Sequence, residues 1–158
     1  MYKQNLYVKN VKGKESVFSK VIIPARKPIL YLTGNIYNKS SIKNTEDVIQ
    51  IGPKKYLGFS GSIDDKIRHS CSPTSYLNMI GDKAILYSIF EIKPHIEITY
   101  DFSLSLLDPD LEVNCSCESI HCRKKITVFN SLPENIKNKY NKLKLIPIHI
   151  KYDIFKQD

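Results

Sequence analysis

Four cysteines are the residues of this chain whose types and spacing speak most directly of chemistry. Cys115, Cys117 and Cys122 fall within the run NCSCESIHC, a C-x-C-x4-C cluster, and Cys71 stands alone in RHSCSP. Thiolates so spaced favour tetrahedral Zn²⁺, and thiols in a reducing compartment ligate metal before they pair as disulfides. Three clustered ligands leave a tetrahedral ion one short. Cys71 is the remaining cysteine. His121 is its rival, although neighbouring Cys122 already points to the metal and adjacent residues seldom both ligate. The alternative is four unrelated buried or paired thiols. With Cys71 as fourth ligand the metal closes a long loop, and folding is coupled to metal binding.

The chain that must position these thiols has 158 residues, 42% hydrophobic and 25% charged, the composition of one compact domain. No stretch reaches the roughly 18 to 20 apolar residues that cross a bilayer, and MYKQNLYVKNVKGK lacks the apolar core of a signal peptide. A cytoplasmic protein is expected, with delivery into a host cell as the alternative. The net charge of +8 is uneven: residues 1–50 carry nine Lys/Arg against three acids, and residues 123–144 carry seven against Glu134 alone. Asp108, Asp110, Glu112 and Glu118 form an acidic loop before Arg123-Lys124-Lys125. Such a surface attracts polyanions or acidic partners, but no regular Arg spacing or aromatic/basic repeat marks a nucleic-acid face, and solvated lysines explain it as well.

Short β-branched runs broken by turn residues predict strands at VFSKVII (17–23), ILYLTG (29–34), DVIQIG (47–52), KYLGFSG (55–61), TSYLNMI (74–80), KAILYSIF (83–90) and IEITYDF (96–102). Gly81-Asp82 joins two of them as a tight hairpin. One helix is predicted late, with Ser131 as N-cap, Pro133 near its first turn and Glu134 closing a capping box. The fold class is mainly β.

IRHSCSPTSYL (67–77), EITYDF (97–102) and CSCESIHC (115–122), in that order, resemble the SET-domain family of protein lysine methyltransferases with its post-SET zinc segment. The family pattern reads N-H-S-C-x-P-N, E-L-T-Y-D-Y and C-x-C-x4-C. The likeness spans roughly residues 5–145 and is nearest the short prokaryotic or viral type. It implies small curled sheets, a pseudoknot in which the segment around Tyr100 threads beneath an earlier loop, and a zinc held by Cys71, Cys115, Cys117 and Cys122. It further implies a SET domain over 1–113, a post-SET zinc segment with one terminal helix over 114–145, and a tail over 146–158.

The resemblance also implies S-adenosylmethionine as cofactor on one face and a substrate lysine entering from the other, with a histone-like peptide among the candidates. His69 matches the residue whose backbone reads the adenine. Arg68 takes the place of the family Asn, and a guanidinium cannot accept a hydrogen bond from the cofactor's ammonium. Thr74 replaces the second Asn. Where the family has G-x-G before an apolar-aromatic pair, here Val17-Phe18, one register puts Lys14 and Ser16 on the glycines and the other puts Glu15 on the second. Phe129 is carried over as an aromatic covering the cofactor. Tyr100 falls on the Phe/Tyr switch position that favours monomethylation. Phe102 falls on the catalytic Tyr and keeps the ring without its hydroxyl, which Tyr31 or Tyr37 of ILYLTGNIY would have to replace. Asp101 is expected to bond the knot, and Asp64 and Asp65 to bond backbone amides in their turn.

Three functions follow: a divergent SET methyltransferase acting on protein lysine, a SET pseudoenzyme that binds a partner without transferring methyl groups, and a zinc domain that binds nucleic acid through the 123–144 face.

Overall fold

The computed structural model describes residues 1–42, 48–108 and 112–155, with backbone alone for 153–155. Asp47 of the predicted strand at 47–52 and Asp110 of the acidic loop lie outside the described residues.

Strand β1 (Leu6–Val11) pairs antiparallel with β2 (Lys14–Ser19). Their turn is Lys12-Gly13, both at positive φ, and the Gly13 N–H donates to Asn10 Oδ1 at 2.9 Å. β1 was not predicted, because LYVKNV buries only Leu6 and carries too weak an alternation. β2 begins before the predicted 17–23 run and stops at Ser19.

A second sheet has β9 (Lys83–Ser88) between β3 (Pro28–Tyr31) and β8 (Ser75–Ile80). The β8–β9 hairpin turns at Gly81, φ 59°, where the sequence places it. In a third, β6 (Lys55–Gly58) lies between β4 (Ile36–Asn38) and β5 (Val48–Gly52). A Cβ on Gly34 would come 1.7 Å from the Gly58 carbonyl oxygen, and one on Gly58 would come 2.6 Å from the Tyr37 ring. Gly34 is therefore fixed by close backbone approach and Gly58 by the Tyr37 ring, which makes Tyr37 a packing residue of this sheet.

The crossing that defines the molecule is parallel: β7 (Arg68–His69) pairs with β10 (Thr99–Tyr100), Thr99 opposite Arg68 and Tyr100 opposite His69. Thr74 and Ser75 secure it, Thr74 Oγ1 donating to the Glu97 carbonyl at 2.9 Å and Ser75 Oγ to the Thr99 carbonyl at 2.8 Å. Thr74 thus ties the knot in place of the family's Asn. Beyond it, β11 (Val113–Asn114) and β12 (Lys125–Ile126) pair antiparallel and bracket the clustered cysteines.

The predicted helix forms as α1 (Glu134–Lys142), but it starts at Pro133, without a side-chain cap; Ser131 sits in a preceding 3₁₀ turn, so the capping box is not made. The predicted tail also forms a helix, α2 (Ile148–Phe155), which buries His149 and Ile150. Leu145 and Ile150 join Leu104, Phe129, Leu132 and Tyr140 in a core separate from the larger one around Val17, Leu30, Leu77, Leu86, Ile98 and Tyr100. IHIKYDIF has no cap signal and little one-sided patterning, so only tertiary packing reveals it as helix. Among the described residues no helix is long and apolar enough to cross a membrane.

Candidate functional site

The knot brings the four cysteines together from two distant segments. The Cys71 and Cys115 sulfurs lie 3.8 Å apart, and those of Cys115 and Cys122 lie 3.6 Å apart. Four thiolates around one zinc at about 2.3 Å stand about 3.8 Å from one another, so this spacing suits a tetrahedral ion. None of the four forms a disulfide. Backbone N–H groups point at the sulfurs: Cys71 to Cys117 at 3.5 Å, Arg123 to Cys71 at 3.4 Å and Lys124 to Cys122 at 3.4 Å. Burial works against ionisation of Cys117, yet donation from the backbones of Cys71 and Ser119 outweighs it and brings that thiol down to about 7. Burial pushes Cys115 up. Burial pushes Cys71 up as well, and the donor set is four soft sulfurs at the spacing that zinc takes.

His121 is exposed and stays outside the cluster. The imidazole that approaches is His69, whose Nε2 lies 3.3 Å from Cys71 Sγ; its ligand atom and those of Cys71, Cys115 and Cys117 fall within 4.8 Å of one another. His69 is buried, which lowers its pKa to about 4, Asp101 opposing the shift and Arg123 adding to it.

Behind the cluster lies a buried polar network. The Asp101 side chain, fully enclosed, accepts from Arg123 Nη2 at 2.8 Å, from Tyr140 Oη at 2.6 Å and from the Ser103 N–H at 3.0 Å. Burial works against the charge of Arg123, but the bond to Asp101 prevails and holds the guanidinium more firmly protonated. Burial, then Asp101, pushes the Tyr140 hydroxyl up. One carboxylate thereby joins the knot, the residue after the last cysteine, and helix α1. Arg123 lies within the basic 123–144 stretch, but its side chain is only 12% exposed and belongs to this network and not to an outer basic face. The described acids of the loop are neutralised locally: Lys39 pairs with Asp108, Lys125 with Glu112 and Lys12 with Glu118.

On the other side of the knot a cavity of about 300 Å³ opens among Lys14, Phe59, Asp65, Arg68, His69, Phe102, Ser116 and Cys117, with Ile67, Asn114 and Ile126 completing its wall. β2, the 3₁₀ turn Ile63–Lys66, β7 and the cysteine segment all contribute to it. Apolar Phe59, Ile67, Phe102 and Ile126 alternate there with cationic Lys14 and Arg68 and with Asp65. Asp65 also accepts from the N–H groups of Ser60 and Gly61 at 3.0 and 2.6 Å, and Asp64 from that of Thr33 at 2.6 Å, the turn role expected of both.

Of the residues singled out from sequence, Lys14, Arg68, His69, Phe102 and Cys117 meet at this cavity. Glu15 instead pairs with Lys66 at 2.8 Å, Ser16 is wholly buried, and the Phe18 ring packs on Tyr7 with centroids 5.7 Å apart. Phe129 is 5% exposed in the second core and is a packing residue, not a cover over the cavity. Tyr31 is 41% exposed, on the opposite side of β3 from core residues Leu30 and Leu32, so it supplies no hydroxyl to the Tyr100 core. Tyr100 is itself buried behind Phe102, ring centroids 4.6 Å apart; burial raises its pKa, and Ser105 is its hydroxyl's neighbour.

Sequence reasoning missed Glu97. Arg68 Nε lies 3.0 Å from Glu97 Oε1, an ion pair by distance although not aligned as a hydrogen bond, and each side chain is about one-quarter exposed. The Arg68 charge is therefore balanced within the protein. A parallel register with Thr99 opposite Arg68 was the signal, since it sets Glu97 beside that arginine.

Comparison with known proteins agrees with this geometry. No family model matches the chain. A histone-lysine N-methyltransferase, H3 lysine-4 specific, of Cryptococcus neoformans is 36% identical over 70 residues, 41% of this chain and 5% of that protein. KRYPTONITE bound to mCHH DNA, an H3(1-15) peptide and SAH superposes with a TM-score of 0.63 at 26% identity, over 77% of this chain and 29% of that one. Arabidopsis thaliana SUVH6 in complex with SAM superposes with a TM-score of 0.66 at 20% identity, over 77% and 33% respectively. The chain thus spans a third or less of each of these proteins. The knot, the small sheets around it and the bracketing cysteine segment form the SET fold. The chain is thus similar in fold to these SET-domain methyltransferases.

Proposed function

We propose that the chain is an S-adenosylmethionine-dependent protein-lysine N-methyltransferase with a structural zinc at Cys71, Cys115, Cys117 and Cys122. The observation that carries this reading is the cavity at the knot, where Lys14, Arg68, His69 and Phe102 meet the cysteine segment in the fold that SUVH6 uses with SAM. Its wall suits an amphipathic ligand: Phe59 and Ile67 would cover an aromatic base, and Lys14 would face a carboxylate. When bound, S-adenosylmethionine supplies an activated methyl group to a neutral lysine amine.

The chain's own residues do the rest. Phe102 and the buried Tyr100 behind it present an apolar, water-excluding wall, which lowers the pKa of an entering lysine and favours its neutral form. Glu97 offsets the Arg68 charge, so the sulfonium meets a balanced pair rather than a bare cation. The Tyr100 hydroxyl at the switch position fits monomethylation. A peptide lysine is the substrate class, by analogy with the H3 peptide held by KRYPTONITE, and a cytoplasmic location is part of the same reading.

Phe102 favours a second reading, a SET module that binds cofactor or peptide without turnover, since no hydroxyl stands at the catalytic position. Transfer of labelled methyl from S-adenosylmethionine to lysine peptides and histones separates the two. Incorporation supports the enzyme. Cofactor binding without incorporation, in both the native chain and Phe102→Tyr, supports the module.

A further inference from the structure

His69 lies between the thiol cluster and the cavity, and its ring has two distinct neighbours. The Phe102 N–H donates to His69 Nδ1 at 3.1 Å, and His69 Nε2 lies 3.3 Å from Cys71 Sγ. A nitrogen that accepts a hydrogen bond carries no proton. The neutral ring must then carry its proton on Nε2, aimed at the sulfur. Asp101 Oδ1 is 3.5 Å from Nδ1 and is the group that would hold a proton there. That oxygen already accepts from Arg123 and from Ser103, and the Phe102 N–H takes the Nδ1 lone pair. The His69 side chain is 6% exposed, so water does not compete for either nitrogen.

We propose that His69 is a positioning residue that donates Nε2–H to the Cys71 sulfur while holding the Phe102 backbone through Nδ1, linking the metal cluster to the cavity wall. It is not itself a ligand, although its nitrogen falls within the ligand cluster, because a ligating Nε2 would have to be bare. Cys122, 3.6 Å from Cys115, is then the fourth ligand. The bond has two effects. An N–H donor to a metal-bound thiolate draws charge from the sulfur and fixes its direction, as outer-shell partners of metal ligands do. On the other side, the ring sets where residue 102 begins its 3₁₀ turn and packs edge-on against Phe102, centroids 5.4 Å apart. Metal loading would thereby reach the cavity through one side chain.

The inference rests on the thiol cluster holding metal, and its test separates the two. Long-range ¹H–¹⁵N NMR of the zinc-loaded protein is expected to show His69 protonated on Nε2 and bare on Nδ1. A proton on Nδ1, or a metal-shifted Nε2, overturns it. His69→Asn keeps an acceptor near the Phe102 N–H and removes the donor to sulfur. It is expected to bind Co²⁺ about 10- to 100-fold more weakly, with displaced thiolate-to-metal absorption. His69→Gln keeps a donor that reaches Cys71 and is expected to retain both the affinity and the spectrum. An unchanged spectrum and affinity in His69→Asn, or in Cys122→Ser, contradicts the assignment. If the native chain takes up neither Zn²⁺ nor Co²⁺, the metal reading fails on its own. The tautomer in the metal-free protein still decides the hydrogen bond, Nε2–H supporting it and Nδ1–H refuting it.

Discussion

The two sides of the knot have been treated differently by this sequence. On the cysteine side each charged group of the central network has a partner: Asp101 binds Arg123, Tyr140 and the Ser103 amide, and the sulfurs receive backbone N–H groups. On the cavity side Lys14, Arg68 and Phe102 stand where the resemblance leads one to expect other residues, Lys14 in one of its two registers, while β7 and β10 still cross in parallel. The contrast teaches that the scaffold and the chemistry of a SET domain are held by separate sets of residues. One can drift while the other stays closed.

Metal removal breaks the comparison most severely. Chelation is expected to loosen the 112–126 segment and lower the melting temperature sharply, because the sulfurs come from two segments distant in sequence and the metal would close the loop between them. Equal melting of metal-free and zinc-loaded protein would remove the four-cysteine site. Next is Asp101→Asn, which leaves the buried Arg123 guanidinium without its counter-charge. Denaturant unfolding should show a loss of about 3–5 kcal/mol, and a loss below 1 kcal/mol would show that the network does not stabilise the knot.

On the cavity side, Phe102→Tyr adds a hydroxyl where the proposed transfer takes place and is expected to raise methyl incorporation on the order of 10²- to 10³-fold with little change in stability. An unchanged rate at detectable turnover would place the transfer geometry elsewhere.

A gentler probe uses pH. Buried His149 is lowered from 6.5 to about 4 by burial, with the Ser105 backbone pulling weakly the other way. The unfolded chain then binds more protons than the folded one between those values, so stability rises with pH through that window and is lost as pH falls from about 6.5 towards 4. His149→Leu should flatten the slope in denaturant melts, and an unaltered slope would exclude this residue. The smallest effect belongs to Lys12→Ala, whose pair with Glu118 is solvent-exposed and should not shift the melting temperature measurably.

Much of the scaffold was legible because its signals are local or ordered along the chain. Gly81-Asp82 marks the hairpin, and three motifs in sequence order mark the knot and the thiols. β1 and α2 were hidden because their residues lack strong periodicity and acquire a buried face only through tertiary packing. At the site, Cys71, the cysteine cluster, Arg68, His69 and Phe102 were readable from spacing and motif. Glu97 was not, since only the register of a parallel pair brings it to Arg68. Phe129 was misplaced because an aromatic near a helix start packs inward as readily as over a ligand, and sequence does not say which. The inward turn of Arg123 was equally hidden, since it depends on a carboxylate 22 residues away.

Calorimetric titration of S-adenosylmethionine into the zinc-loaded protein, with Arg68→Asn in parallel, asks whether the altered cavity still receives the cofactor. Saturable one-to-one binding by the native chain is expected, the Arg68–Glu97 pair being balanced within the wall. Heat-silent titrations of both proteins, each folded and metal-loaded, would contradict a methyltransferase built on this SET fold.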